Sequence, residues 1–327
     1  MIGEIVSHYS IVETLGHGGM GVVYKAQDTQ LGRFVALKFL SKKFRRDHRA
    51  MERFRQEART ASALNHPGIC TIHAIDEYQG QPFIVMEFLE GRTLRQHLCN
   101  HRLTIEEAIV CGIQVAEALG IAHAKGIVHC DITPANLFIT EEGRIKLLDF
   151  GIAQLMRANC AGESSTLGSK ATRSVLTGTV RYMSPEQALG RDVDARSDIF
   201  SVGVVLYEML TGRLPFIGAN FVDTINQVIN AEAEIVRSIN PNIPVAIENV
   251  VNKCLEKRPE RRYPTAAELQ KDLTQAIVVS RVVVEHSVAL RPLARVPQPV
   301  DSAIEIQEQT SSSLTETLPD WTTRIVN

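Results

Sequence analysis

No excess of either charge marks this sequence: 35 Lys and Arg stand against 37 Asp and Glu among 327 residues, a formal net charge of −2. A chain so balanced lacks the field of a general nucleic-acid or anionic-membrane surface, and no nucleic-acid partner is expected. It also lacks any Cys-x-x-C pair. Its six cysteines (Cys70, Cys99, Cys111, Cys130, Cys160 and Cys254) are scattered, which suits free thiols in a reducing cytosol, so a cytoplasmic location is expected. The start, Met1-Ile2-Gly3-Glu4-Ile5, has no basic region leading into an apolar core, and no signal peptide is read there. The longest apolar stretch toward the tail, 276–290, is short and broken by Arg281, Glu285 and His286, so it will not span a bilayer. No internal repeat is apparent. What is present is a 44% hydrophobic content, enough to bury a large core in more than one unit.

The most informative stretch runs from His129 to Gly151. His129-Cys130-Asp131-Ile132-Thr133-Pro134-Ala135-Asn136 precedes an apolar run, Leu137-Phe138-Ile139, and Ile145-Lys146-Leu147-Leu148 leads into Asp149-Phe150-Gly151. Thr140-Glu141-Glu142-Gly143 between the two runs reads as the turn of a hairpin. A hairpin joins its ends, so Asp131, Asn136 and Asp149 are expected to converge at one edge. Oxygen ligands of that kind, beside phosphates, suit Mg²⁺. Upstream, three strand-like runs cover Tyr9 to Leu40, with Gly16-His17-Gly18-Gly19-Met20-Gly21 between the first two. Glycines in a strand-to-strand turn argue against a dinucleotide-binding fold, whose glycines must open a helix. Without Cβ atoms, Gly16, Gly18 and Gly21 let backbone N–H groups approach phosphate closely.

Between these stretches, 46–64 reads as a helix with Phe54, Ala58, Ala61 and Leu64 along one stripe and Glu57 on it. An inward carboxylate needs a partner, and Lys38 at the end of the third strand is the natural one. His66 reads as a loop hydrogen-bonder. Strands are expected over 69–76 and 81–88. Helices follow, one opened by a Thr104/Glu107 capping box, one over 197–210 that is apolar almost all round, and a last one opened by Thr265 and Glu268. Beyond about residue 280, Pro292, Pro297, Pro299 and Thr310-Ser311-Ser312-Ser313 carry neither period and read as a disordered tail or linker, with Trp321 in it given no role.

The two polar turns resemble the catalytic loop and the Asp-Phe-Gly motif of protein kinases. Gly16 to Val23 resembles that family's glycine-rich loop, Val35-Ala36-Leu37-Lys38 its phosphate-binding strand, and Ser184-Pro185-Glu186 the close of its activation segment, all in family order. The resemblance is strongest to bacterial Ser/Thr kinases of eukaryotic type. It implies an α+β, two-lobed fold over 9–278, with a β-rich N-lobe of about 9–88, a mostly helical C-lobe of about 92–278, and a tail of 279–327. It implies ATP and Mg²⁺, protein substrates with Ser or Thr acceptors, and autophosphorylation; the oligomeric state stays open. By the same resemblance Asp131 takes or orients the acceptor proton, Lys38 held by Glu57 steadies the α/β-phosphates, and Asn136 and Asp149 hold the metal. Leu15, Gly16, His17, Gly18, Gly19, Met20, Gly21, Val22, Val23, Ala36, Glu87, Leu89 and Phe138 surround the nucleotide, with Met86-Glu87-Phe88-Leu89 as the hinge. Asp198 holds the catalytic loop and Arg262 pairs with Glu186. Gly178-Thr179 faces the acceptor residue, and Ser164 to Thr177 supply phosphorylatable hydroxyls, Thr172 and Ser174 foremost.

Two positions depart from the family pattern. Cys130 stands where an Arg is usual, and reads as a small buried filler. Thr133 stands where a Lys that contacts the γ-phosphate is usual, so Thr133 joins the catalytic set as the residue that replaces it. A nucleotide-binding pseudokinase or signalling scaffold is the alternative this raises. Retention of Lys38, Glu57, Asp131, Asn136 and Asp149 together favours the enzyme.

Overall fold

A computed structural model describes residues 1–18, 21–40, 62–150 and 180–279, and the following concerns those residues. Alternating apolar positions build the first sheet. Strands β1 (Ile5–Val6), β2 (Tyr9–Gly18), β3 (Gly21–Asp28), β4 (Arg33–Leu40), β5 (Ile72–Tyr78) and β6 (Gln81–Glu87) lie antiparallel in the order β1-β2-β3-β4-β6-β5. β1 was not anticipated, being only two residues long. Under the sheet pack Tyr9, Ile11, Leu37, Phe39, Phe83 and Val85, with Phe39 and Phe83 stacked at 4.9 Å between centroids. The glycine turn joins β2 to β3 as the spacing predicts, Gly18 pairing with Gly21.

Short strands β7 (Gly91–Thr93), β8 (Leu137–Thr140) and β9 (Ile145–Leu147) form a second sheet at the edge of a helical body. β8 and β9 are the expected hairpin, paired Leu137 to Leu147. The helices are α1 (Leu94–Asn100), α2 (Ile105–Ala124), α3 (Pro185–Ala188), α4 (Ala195–Thr211), α5 (Phe221–Asn230), α6 (Val236–Ile239), α7 (Val245–Cys254) and α8 (Ala266–Val279). Most open on a side-chain cap, although Val236–Ile239 and Val245–Cys254 do not. Thr104 and Glu107 make the expected capping box on α2; Thr93 with Gln96 on α1 and Ser184 with Gln187 on α3 make two more. Thr265 accepts from the Glu268 N–H at the start of α8. α4 is buried on nearly every face, so it is the axis on which α2, α7 and α8 pack. It ends where Gly212 takes a left-handed turn at φ 70°.

Among the described residues the two hydrophobic cores are separate, and several of the links between them run through β9. Cys70 N–H donates to Leu147 O at 2.9 Å, and Leu147 N–H donates to Gly68 O at 2.8 Å. Lys146 Nζ reaches both carboxylate oxygens of Glu87, each at 2.8 Å. His66 Nδ1 accepts from Gly68 N–H at 3.1 Å, the loop role expected of it. Among the described residues no helix is long and apolar enough to cross a membrane. The helix expected over 46–64 falls outside the described residues but for its last turn, as do the tail from 280 on and the acceptor-rich 164–177.

Candidate active site

The turn that starts at His129 and carries Asp131 and Asn136 is held by one buried carboxylate. Asp198, on the first turn of α4 and 1% exposed, accepts from His129 N–H and Cys130 N–H, both at 2.8 Å. His123 Nε2 meets the same carboxylate at 2.8 Å. Those bonds fix Cys130 at φ 63°, a left-handed conformation that is uncommon for a residue with a side chain. Gln187 Nε2 donates to Cys130 O at 3.0 Å, so both backbone polar groups of Cys130 are tied, one from α4 and one from α3. The Cys130 side chain is 2% exposed, as a buried filler should be. Asp198 was expected in this role; Gln187 was not, because its use depends on how α3 docks.

His129 then couples the two polar turns. Its Nε2 lies 2.8 Å from Leu148 O, which makes Nε2 the protonated nitrogen, and its Nδ1 accepts from Asp131 N–H at 3.3 Å. Its ring packs on Phe150 at 4.5 Å between centroids. Leu148 N–H donates to Asn136 O at 2.9 Å, so Asp149 follows directly on a residue bonded to Asn136. Asp149 also has a positive φ, 61°. Two strained non-glycine residues at the two ends of one hairpin mark a site that the surrounding structure over-determines.

Into this edge point the expected groups. Asn136 Nδ2 donates to both Asp131 O and Asp131 Oδ2, each at 2.8 Å, so the amide orients the carboxylate. Lys38, in the apolar strand β4, is 5% exposed, and its Nζ lies 2.6 Å from Asp149 Oδ2. The structure thus brings Lys38, Asp131, Asn136 and Asp149 to one place. Thr133 lies in the same turn, 7% exposed, its carbonyl accepting from Asn136 N–H at 2.9 Å. Glu57, Gly19, Met20, Gly178 and Thr179 lie outside the described residues.

Above the turn, Gly16, Val22, Val23 and Ala36 line up on β2, β3 and β4, with Val23 paired to Lys38 and Ala36 to Met86. Leu15 and His17 are exposed beside them, and Phe138 is half-buried opposite. A Cβ at Gly16 would meet nothing within 4 Å, whereas one at Gly21, φ 145°, would lie 1.8 Å from Phe39 O. Gly21 is therefore needed by the sheet itself and Gly16 is not. At the hinge, Glu87 N–H donates to Thr71 O at 3.0 Å, and its side chain is taken by Lys146 and the Thr71 N–H. Leu89 N–H donates to no backbone acceptor among the described residues. Burial, reinforced by the Glu87 and Asp149 carboxylates, pushes the nearby Cys70 thiol up, so it stays protonated and inert.

Beneath the site, Arg262 grips Glu186 through two bonds, 2.7 and 2.9 Å, and Ser197 Oγ donates to the same carboxylate at 2.6 Å. Burial pushes the Glu186 carboxyl up, but the bonds and charge of Arg262 and the Ser197 bond outweigh it and hold the carboxyl below its ordinary value. This pair supports the turn from below and touches none of Lys38, Asp131, Asn136 or Asp149.

Comparison with known proteins agrees with this geometry. Residues 9–273 match the family model described as the protein kinase domain. A probable serine/threonine-protein kinase of Clostridium perfringens is 41% identical over 275 residues, covering 84% of this chain and 39% of that protein. The serine/threonine-protein kinase PrkC of Bacillus subtilis is 39% identical over 284 residues, 86% of this chain and 42% of its own length. Among solved structures, a Mycobacterium tuberculosis PknI kinase domain superposes with a TM-score of 0.68 at 26% identity, covering 85% of this chain and 99% of that one. The chain spans about two fifths of the length of the curated relatives it matches.

Proposed function

This chain belongs to the protein kinase family, and from that membership we propose that it is an ATP-dependent serine/threonine kinase, moving the γ-phosphoryl group of ATP to protein hydroxyls and to its own. The observation that carries the reading is the Asp131 carboxylate, oriented at 2.8 Å by Asn136 in a turn that also receives the Lys38–Asp149 pair. Asp131 accepts the proton of the acceptor hydroxyl as its oxygen forms the new bond to phosphorus and the bond to the β,γ-bridging oxygen breaks, leaving ADP. Lys38 brings a positive charge from a dry strand to the α/β-phosphates, with Glu57 as the partner that would hold it there. The glycine turn covers the phosphates, and the Leu89 N–H, which meets no backbone acceptor among the described residues, bonds the base. Positioning and charge neutralisation, more than covalent chemistry, carry the rate.

Mg²⁺ is the metal we assign. The donors beside the phosphate path, Asn136 and Asp149, offer only oxygen, which suits a hard cation. Among the described residues no group of three or more His, Cys, Asp or Glu is placed to hold a metal alone; Mg²⁺ fits such a site because it takes its other oxygens from phosphate and water. Asn136 and Asp149 would hold it, and it would supply positive charge against the phosphates. The proposed domain limits are 9–278, with the tail outside it.

Transfer of radiolabelled phosphate from ATP to the protein itself and to generic acidic and basic proteins tests the reading. Incorporation is expected in the wild type, with a loss of roughly 10²–10⁴-fold in Asp131→Asn. Equal incorporation by both proteins would overturn the assignment of Asp131.

A further inference from the structure

Beside the catalytic turn lies a charged cluster that the chemistry above does not use. Tyr182 Oη donates to Glu208 Oε2 at 2.7 Å, joining the segment before α3 to the last turns of α4. Burial pushes the Tyr182 hydroxyl and the Glu208 carboxyl up, and the charges of Arg95 and Arg181 are near enough to oppose that on both. Arg95 lies in the first turn of α1, and its N–H donates to Pro134 O at 2.9 Å, three residues along the turn from Asp131. Arg181 is partly exposed, yet its Nε is buried and has no hydrogen-bond partner among the described residues. Two cationic charges therefore act on one carboxylate, which already accepts from a phenol.

A buried guanidinium N–H with nothing to accept from it is costly, and the cost is relieved when an acceptor arrives. The rigid fork of a guanidinium matches a carboxylate in two parallel bonds. Glu208 is a poor site for an incoming Lys or Arg, because one of its oxygens already accepts from Tyr182 and two arginine charges act on it. An extended chain advances about 3.3–3.6 Å per residue, so a substrate whose hydroxyl sits at Asp131 carries neighbouring side chains past this cluster. We propose that Arg181, with Arg95, forms an anion subsite that selects polypeptide substrates carrying Asp or Glu close to the acceptor hydroxyl. The proposal rests on the kinase reading and names its substrate class. Like charge on a substrate is repelled at the same place, so the cluster discriminates by attraction and by exclusion.

The test is a set of peptides with one Ser in an alanine background and a single Glu or Lys at each flanking position in turn. With phosphatase-treated enzyme, the wild type should favour Glu over Lys by roughly tenfold in kcat/KM at one flanking position or more, the worth of one charged hydrogen bond. Arg181→Ala should erase that preference, chiefly through KM, and Arg181→Glu should turn it toward Lys at the same position. Arg95→Glu, which should weaken the same preference, carries the test if the position-181 variants do not fold. A preference unchanged in all the variants, an absence of charge preference, or a preference for Lys would overturn the subsite while leaving the kinase reading intact. A variant effect seen only before phosphatase treatment would also overturn it, because the cluster would then be holding the enzyme's own phosphate. Transfer to no peptide and not to itself would defeat the kinase reading and the subsite with it.

Discussion

At Cys130 the side chain matters little to the shape of the turn. The left-handed backbone is fixed by Asp198 on the N–H side and by Gln187 on the carbonyl side, so the arginine that the family leads one to expect is not needed to build it. A buried thiol cannot hold a phosphate on the segment 151–179. Removing phosphate from that segment with a phosphatase should therefore leave activity within a few-fold; abolished activity would contradict this. Thr133 is the residue with the larger consequence. In the proposed reading it offers a neutral hydroxyl where a cation would meet the γ-phosphoryl group, and charged hydrogen bonds are roughly twice as strong as neutral ones. By analogy with single oxyanion-hole donors the missing charge costs on the order of 2–4 kcal/mol at the transition state. Thr133→Lys should raise kcat about tenfold or more with little change in ATP affinity, measured against an Asp131→Asn blank. A kcat unchanged or lowered would show a site adapted to Thr133. Both departures were legible as sequence, because each is a single residue at a known spacing from Asp131. The distinction between Gly16 and Gly21 was not, since only the approach of Phe39 O shows that Gly21 is demanded by the sheet.

Elements were legible wherever a local rule sets them. Glu at the third position of α2 announced its capping box; the boxes on α1 and α3 use Gln96 and Gln187, and passed unread although a Gln side chain makes the same bond. The apolar character of α4 foretold its burial, but nothing local says that Arg262, beyond α7, turns back to it. Arg262 also donates to Arg196 O, Glu256 O and Lys257 O, so it stitches the start of α4 to the segment after α7. Arg262→Ala strands a buried carboxylate and three carbonyls, and should cost about 3–5 kcal/mol in urea unfolding. The loss should shrink as pH falls through the lowered Glu186 pKa, because protonated Glu186 no longer needs the pair. Lys257 titrates in the opposite range. Burial, aided by the charge of Arg262, pushes its ammonium down to about 8, where it lies 3.6 Å over the Phe216 ring and donates to Val228 O at 2.7 Å. Between about 8 and the ordinary 10.5 the unfolded chain binds more protons at this group, so its contribution to stability rises with pH. Buried cysteines and tyrosines, whose values are raised, act with the opposite sign above pH 9. The signal is therefore the difference in Tm between wild type and Lys257→Met, which should move in favour of the wild type from pH 8 to 10. A flat difference would count against the assignment.

Across the whole molecule, the order of motifs along the chain foretold two lobes. The way the lobes are joined was hidden, because it depends on pairings between residues far apart in sequence. Lys146 with Glu87 and Lys38 with Asp149 both cross from the hairpin to the first sheet, and neither partner announces the other locally. The two cores share no buried residue among the described residues, so a ligand that touches both lobes stabilises the molecule by linking them. A nucleotide seated between Lys38 and the Asn136–Asp149 edge is such a ligand. Binding to the folded state alone contributes about 2.7 kcal/mol when the ligand is present at a hundredfold excess over Kd, a rise of several degrees in Tm for a domain of this size. ATP with Mg²⁺ should therefore raise Tm, and ATP with a chelator should raise it less, because the phosphate charge then faces the Asp149 carboxylate without a cation between them. Asp149→Ala removes the proposed metal oxygen and the Lys38 partner, so it should abolish the part of the shift that depends on Mg²⁺ while retaining some of the part that does not. Lys38→Met should reduce both. Equal stabilisation of wild type and Asp149→Ala by Mg²⁺ with ATP would place the nucleotide away from this edge.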